Sequence, residues 1–189
     1  MVQDVSATTY ANGDPVQEAK TPDEWKRFCA ESKGCYRRLA NGSTIYNGFA
    51  VNDSRGLLPD GFRVPEFADF NQLFDFLGGG ASAEGEATKA LATYKIFVED
   101  WIGDEIDGGL ESVEIETSGK SGFAAVPGGY VYDFGETGGE GPCNYWWTNS
   151  KDESGIIVVD IGYCSNDLGG GKGSFSAGFG FSIRGIKND

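Results

Sequence analysis

Three short stretches in the second half of the chain constrain its fold most strongly. They cover residues 121–130, 145–150 and 180–186, and each places small residues beside a run of aromatic or β-branched residues. Strands have this composition where backbones pass close together and a few large rings fill the core. We therefore expect the three stretches to be neighbouring strands of one small sheet.

Length and composition favour one domain spanning residues 1–189. A chain of 189 residues is long enough to bury a core without dividing into domains. The 30 glycines follow no Gly-X-Y period, which excludes collagen, and aromatic residues make up 13% of the chain. This combination predicts short strands joined by many loops. Residues 1–20 read as an extended N-terminal arm that is available for assembly.

The charge balance and the residue types exclude several classes of function. Against 15 Lys and Arg stand 29 Asp and Glu, giving a net charge of −14. Such a surface repels nucleic acid and anionic membranes. The chain contains no His, so it lacks the usual general base and the commonest metal ligand, and a Ser-His-Asp triad is impossible. We expect no enzyme activity and no cofactor.

The start of the chain and its hydropathy predict a protein without membrane insertion. Residues 1–6 show no basic start followed by an apolar run, so no secretion signal is expected. No apolar stretch approaches the ~20 residues that a membrane-spanning helix needs.

The four cysteines fall into two local pairs, Cys29 with Cys35 and Cys143 with Cys164. Neither pair has the CxxC spacing of a thioredoxin-like motif or a zinc ribbon. Each pair is close enough in sequence to close a small loop, so one interpretation is two disulfides. The alternative is four separate buried thiols that pack as small hydrophobic groups.

Two helices are predicted from capping residues and apolar spacing. Thr21 followed by Pro22 and Glu24 is typical of a helix start with a capping box, and Gly34 is the expected stop. A second helix is predicted over residues 66–77, where apolar residues keep helical spacing and form a core stripe. Residues 83–102 have weaker helical spacing. Strands or extended segments are expected at residues 45–51, 130–134 and 156–163, and a tight turn is expected at residues 12–15.

Residues 99–116 carry many carboxylates. Hard oxygen ligands and glycine turns permit a Ca²⁺ site, but the spacing does not fit an EF-hand loop. A solvated acidic loop is the alternative interpretation.

The C-terminal loops offer the best candidates for ligand binding. They combine an aromatic ring with polar groups, a mixture that can stack on a sugar or a protein ring. The alternative is that Trp146 and Trp147 belong to the core. The candidate ligand-binding residues are Trp147, Asn149, Lys151, Asp152, Asn166 and Asp167.

Several sequence blocks, taken in order, resemble the Fibrobacter succinogenes major paralogous domain family. They lie at residues 10–16, 23–25, 45–57, 59–65, 77–79, 121–130, 145–147 and 180–184, and so extend over nearly the whole chain. The family is similar to the formylglycine-generating branch of the C-type lectin-like fold. The resemblance implies an α+β domain with two main helices, a twisted, mostly antiparallel sheet and long loops on one face.

The chain departs from the family pattern at several positions. Phe49 and Phe62 stand where the family has Trp, Glu66 stands at a usual Ser or Thr cap, and Gly185 replaces a frequent Cys. The hairpin that commonly precedes the block at Tyr10 is missing. We expect this to leave a sheet edge open, so that the edge or the N-terminal arm pairs with another chain.

The resemblance implies two settings, because the family occurs in phage structural proteins and in exported bacterial surface proteins. The first expectation is a non-enzymatic structural or adhesion module of a virion, namely a capsid decoration, a fibre or a receptor-binding protein. Its partners would be other virion proteins, copies of itself, or a host-surface glycan or protein. The alternative is a secreted bacterial cell-surface binding protein. An enzyme related to formylglycine-generating oxidases would need reactive cysteines, for which Cys143 and Cys164 are candidates by residue type alone.

Overall fold

The computed structural model describes residues 4–78, 90–91, 96–102, 109–115, 118–125, 128–139, 144–160 and 172–188. Its helices are α1 (Pro22–Ala30), α2 (Gly48–Val51) and α3 (Phe67–Phe76). Its strands are β1 (Gln17–Glu18), β2 (Cys35–Arg38), β3 (Thr44–Asn47), β4 (Phe62–Arg63), β5 (Ile96–Ile102), β6 (Gly109–Ile115), β7 (Tyr130–Val131), β8 (Thr137–Gly138), β9 (Tyr145–Asp152), β10 (Gly155–Asp160), β11 (Lys172–Phe175), β12 (Gly180–Phe181) and β13 (Ile186–Lys187).

The fold is α+β, mostly sheet with a few short helices. A curled, open sheet has the strand order β1-β2-β3-β12-β7-β8, in which β1 is parallel to β2 and the other pairs are antiparallel. A second sheet has the order β11-β10-β9. Strands β13 and β4 form one separate pair, and β5 and β6 form another. Among the described residues, no helix has the length and apolar character needed to cross a membrane.

The three stretches that dominate the sequence are neighbours, but they belong to two sheets. Gly180 of β12 pairs with Val131 of β7 in the larger sheet. Trp146 of β9, in the smaller sheet, forms a parallel bridge with Ser182. The two sheets therefore meet along residues 180–182. The prediction of close neighbours is confirmed, whereas the prediction of one sheet is wrong.

The contact between α1 and the larger sheet depends on a glycine. Trp25 is fully buried, and its indole nitrogen donates to the Gly178 carbonyl at 2.9 Å. A Cβ atom built on Gly180 would lie 2.6 Å from the Trp25 ring and 2.8 Å from Ile45. Only a residue without a side chain lets β12 approach the indole this closely.

Helix α1 begins as its sequence predicts. Thr21 is the N-cap, its hydroxyl accepts a hydrogen bond from the Glu24 backbone, and Pro22 opens the first turn. The Glu24 carboxylate reaches back to the Lys20 N–H at 2.7 Å, one residue before the position of a standard capping box.

The predicted role of Gly34 as the helix stop is wrong. Helix α1 ends at Ala30, and Ser32 follows with a positive φ of 51°. Gly34 instead allows a close approach, because a Cβ there would lie 2.2 Å from the Tyr10 hydroxyl and 2.7 Å from the Ala50 backbone. Its small size is needed for packing rather than for ending the helix.

The strand predicted at residues 45–51 ends early. Strand β3 stops at Asn47, whose side-chain oxygen caps α2 by accepting from the Ala50 N–H at 2.9 Å. The same oxygen accepts from the Cys35 N–H at 3.0 Å. Asn47 therefore converts the strand into a helical turn and ties it to β2.

Helix α3 confirms the second helix prediction, and Phe70 and Phe74 are its buried residues. The weaker prediction for residues 83–102 is wrong at Ile96–Ile102, which forms β5 and pairs in antiparallel register with β6. The acidic segment therefore lies partly in a hairpin rather than in a loop. The rest of residues 79–95, apart from 90–91, lies outside the described residues.

The N-terminal arm is docked on its own chain. The Val5 N–H donates to the Ile183 carbonyl at 2.9 Å. Asp4 accepts from the Arg184 guanidinium at 2.8 and 2.5 Å and from the Trp146 indole at 3.0 Å. The pairing position beside Ile183 is thus occupied by the N-terminal arm.

Candidate functional site

An open groove of about 680 Å³ lies between the β9–β10 hairpin and the segment that follows α2. Buried or half-buried apolar residues form its floor, and polar side chains form its walls. The floor includes Phe49, Ile156, Phe175 and Ala177. The polar lining residues are Ser32, Asn52, Asp53, Ser54, Lys151, Asp152, Glu153 and Ser154.

The hairpin wall is held in shape by Asp152. One of its carboxylate oxygens accepts from the Ser154 N–H at 2.9 Å, which fixes the turn between the strands. Its other oxygen accepts from the Ser174 hydroxyl at 2.5 Å, which ties the turn to β11. The exposed side chains of this wall therefore stand on a defined backbone.

Gly48 sets the distance between α2 and the floor. Its N–H donates to the Ala177 carbonyl at 2.9 Å. A Cβ at this position would lie 2.6 Å from Ile156 and 2.7 Å from the Ala177 backbone. The small residue lets α2 pack tightly, which brings Asn52 and Asp53 opposite the hairpin.

Asp53 is a fixed anion at the rim of the groove. Arg55 binds it in bidentate geometry, with distances of 2.9 Å and 2.7 Å, and the hydrogen bonds from Arg55 lower the pKa of Asp53 to about 2. The Arg55 guanidinium also lies 3.9 Å from the centroid of the Tyr10 ring. Burial, followed by the Asp53 charge, raises the pKa of Tyr10 to about 12. Neither group exchanges a proton near neutral pH.

A second cavity of about 460 Å³ adjoins the groove and shares Phe49 and Ala177 with it. Its lining includes Lys26, Cys29 and the half-exposed ring of Phe134. Phe134 stacks on Tyr132 with ring centroids 4.8 Å apart. The two depressions are therefore neighbours that share Phe49 and Ala177 as lining residues.

The structure brings together two of the predicted ligand-binding residues. Lys151 and Asp152 both line the groove, whereas Asn149 is exposed on β9 outside the groove lining. Trp147 is fully buried, its indole donates to the Tyr46 carbonyl at 2.8 Å, and it packs edge-on against Phe181. The predicted ligand-binding role of Trp147 is wrong, and the alternative is confirmed, because Trp146 and Trp147 are both core residues. Asn166 and Asp167 lie outside the described residues.

Sequence reasoning missed the wall formed by Asn52, Asp53 and Ser54. A polar run directly after the apolar Phe49–Val51 segment was the available signal, but nothing local connects it to residues 151–156. The groove forms because Gly48 packs against Ile156, and these two residues are separated in sequence by more than half of the chain.

The other predicted sites have mixed outcomes. Among the described residues, no group of three or more carboxylate or thiol side chains is placed to hold a metal ion. Part of residues 99–116, where Ca²⁺ was considered, lies outside the described residues. Cys29 and Cys35 are free thiols, and Cys143 and Cys164 lie outside the described part of the chain.

Comparison of the sequence with protein families identifies its relatives. The profile of the Fibrobacter succinogenes major domain matches residues 1–187. The chain belongs to the Fibrobacter succinogenes major domain family. This membership confirms the resemblance found in the sequence blocks. Comparisons of this family member with curated proteins and with solved structures gave no significant match.

Proposed function

We propose that the protein is a non-enzymatic binding module of a bacteriophage particle, acting as a capsid decoration, a fibre or a receptor-binding protein. We further propose that the groove binds a glycan on the host surface. One observation carries the proposed binding role: hydrogen-bonding side chains surround a groove floor that includes the aromatic rings of Phe49 and Phe175.

The chemistry of the groove suits a polyhydroxylated ligand. Sugar hydroxyls can donate to the carboxylates of Asp152 and Glu153 and accept from the Lys151 ammonium. The apolar face of a sugar ring can rest on Phe49 or Phe175. An open, shallow groove with exposed polar walls gives access to one end of a long surface glycan.

The properties of the ionisable groups support a binding role over catalysis. Asp53 stays ionised at neutral pH because Arg55 lowers its pKa to about 2. A group with that pKa cannot serve as a general acid near pH 7. The whole sequence also lacks His, the residue that most often transfers protons in enzymes.

The finer fold assignment is also a proposal, namely a C-type lectin-like domain. Helices α1 and α3, the curled open sheet and the binding walls borne by turns support it. In such an arrangement a rigid sheet carries variable loops, which can change ligand without changing the core.

The proposed setting on a particle rests on the family resemblance and on the net charge of −14, which keeps a densely displayed protein from adhering to nucleic acid. Strand β1 lies at the edge of the larger sheet and exposes Gln17 and Glu18. We propose this edge as the contact with neighbouring virion proteins or further copies of the chain. A secreted bacterial cell-surface protein is the alternative setting for the same groove.

A glycan screen with groove variants tests the binding role. Host surface polysaccharides are presented to the wild type, Lys151→Ala, Glu153→Gln and the charge-matched control Lys187→Ala, which changes an exposed residue of β13. We expect each groove variant to bind at least about tenfold more weakly, as the loss of one charged hydrogen bond predicts. The control should bind as the wild type does. Equal binding by all four proteins, or no binding by the wild type, would refute the glycan role of the groove.

A further inference from the structure

Two thiols meet at the corner between α1 and β2. Cys29 lies in the last turn of α1, and Cys35 is the first residue of β2. Both contact Asn47, Cys29 through its sulfur and Cys35 through its backbone N–H. The corner therefore brings two free thiols close together, and each alters the pKa of the other.

Asn47 holds both cysteines in place. Its amide nitrogen donates to the Cys29 sulfur at 3.8 Å and to the Lys33 carbonyl at 2.9 Å. Its side-chain oxygen accepts from the Cys35 N–H at 3.0 Å. One side chain thus holds Cys29, Lys33 and Cys35 in place, so the two thiols belong to an ordered site.

The two thiols differ in access to solvent. Cys35 is fully buried within the larger sheet. Cys29 is half-buried and lines the second cavity, where Lys26 and Phe134 are exposed. A small reagent can enter that cavity and reach the first sulfur, but it meets the second only through the first.

We infer that Cys29 and Cys35 form a thiol–disulfide exchange site for low-molecular-weight disulfides. Cys29 is the attacking thiol, and Cys35 is the resolving thiol. The reaction converts the two thiols into a disulfide that fastens α1 to β2.

The electrostatics of the pair agree with this order of attack. Hydrogen bonds from Cys35 and Asn47 lower the pKa of Cys29, and the hydrogen bond with Cys29 raises the pKa of Cys35. Three features oppose ionisation of Cys29, namely its burial, the charge of Asp133 and the Gly178 carbonyl, to which the thiol donates at 3.5 Å. The Gly178 carbonyl also accepts a shorter hydrogen bond from Trp25. When Cys29 ionises, this carbonyl therefore loses only its longer, weaker bond.

The exchange proceeds in two balanced steps. The Cys29 thiolate attacks one sulfur of the soluble disulfide, forms a mixed disulfide and releases one soluble thiolate. Cys35 then loses its proton and attacks the Cys29 sulfur, which breaks the mixed disulfide and releases the second soluble thiolate. The protein loses two electrons and two protons in total, and the soluble disulfide gains them as two thiols.

The sequence makes the product easy to identify. Trypsin cleaves after Arg27, Lys33 and Arg37, so Cys29 and Cys35 fall in separate peptides at residues 28–33 and 34–37. A disulfide between them joins these peptides, and reduction separates them. Cys143 and Cys164 fall in other tryptic peptides and are scored independently.

The test treats the folded protein with oxidised glutathione and maps the peptides by mass spectrometry. The wild type should yield the joined peptides. Cys35→Ser should instead retain glutathione on Cys29, because the resolving thiol is missing, and Cys29→Ser should leave Cys35 unmodified. Under native conditions, iodoacetamide should alkylate Cys29 at least about tenfold faster than Cys35.

Three results would overturn the inference. The first is that Cys29 does not react in the folded wild type. The second is that the wild type retains glutathione on Cys29 without joining the peptides, which would remove the resolving role of Cys35. The third is equal alkylation rates for the two thiols, which would contradict the difference in access. Far-ultraviolet circular dichroism of each variant verifies that the fold is retained.

Discussion

The buried ion pair between Asp4 and Arg184 should control the docking of the N-terminal arm. Arg184 is 3% exposed, and Asp4 accepts from its Nε and from a terminal guanidinium nitrogen. Asp4→Ala leaves this guanidinium buried without its carboxylate and also leaves the Trp146 indole without its acceptor. Removing one partner of a buried pair costs about 3–5 kcal/mol. Because the Asp4 side chain is 19% exposed, we expect the lower end, about 3 kcal/mol.

For a chain of this length, that loss lowers the Tm by roughly 6–12 °C. The assay is urea unfolding followed by tryptophan fluorescence, with the slope of the transition checked for constancy. The double variant Asp4→Ala with Arg184→Met should lose less stability than the sum of the single variants, since no unpaired charge remains. The control is Asp14→Ala, which removes an exposed partner of Arg55 and should leave the midpoint unchanged. A loss below about 0.5 kcal/mol for Asp4→Ala would refute the buried pairing.

Three further predictions test the packing of the core and one charge at the rim of the groove. Gly180→Ala places a Cβ 2.6 Å from the Trp25 ring and should cost about 2 kcal/mol of unfolding free energy, measured in urea; an unchanged midpoint would contradict the close contact. Trp147→Ala should lower the unfolding free energy by about 3–5 kcal/mol, because the indole is buried in the core. A variant of unchanged stability that loses only ligand binding would contradict this core position. Hydrogen bonds from Arg55 lower the pKa of Asp53 to about 2 in the folded protein, whereas the pKa is about 4 in the unfolded chain. The Asp53 carboxylate therefore stabilises the fold above pH 4, and this contribution is lost as the pH falls toward 2. The stability difference between wild type and Asp53→Asn should shrink over that range, and a difference independent of pH would contradict the ion pair.

Elements that depend on interactions between residues close in sequence could be predicted from the sequence. The cap at Thr21 lies next to the residues it caps, and the apolar stripe of α3 repeats within ten positions. The turn at residues 12–15 follows from Gly13, which has a φ of 88°. In each case the interactions that decide the structure are local.

Elements decided by distant partners could not be predicted in this way. Asn47 ends β3 because its side chain also binds the Cys35 backbone, which the local pattern of β-branched and aromatic residues does not reveal. Residues 96–102 have apolar positions compatible with a helix, but pairing with β6 makes them a strand. Gly34 resembles a helix stop in sequence, whereas its structural role is contact with Tyr10 and Ala50.

The candidate site also contains one part that local sequence predicts and one part that depends on contacts between distant residues. Lys151 and Asp152 could be identified because a polar run follows an aromatic strand. The opposite wall at Asn52 and Asp53 could not be identified from the sequence, because the packing of Gly48 against Ile156 is what places this wall opposite the hairpin. Trp147 was misplaced because an aromatic residue in a strand can face either the core or the solvent, and periodicity alone does not decide which.

The most direct test of the proposed virion setting is to measure the untagged protein in purified particles from its source. Particles are separated on a density gradient, and the chain is quantified by mass spectrometry against a known structural protein of the same particle. A virion protein should keep a fixed stoichiometric ratio to that structural protein across the particle peak. Recovery of the chain as free protein or in the cell envelope, without enrichment on particles, would contradict the virion setting.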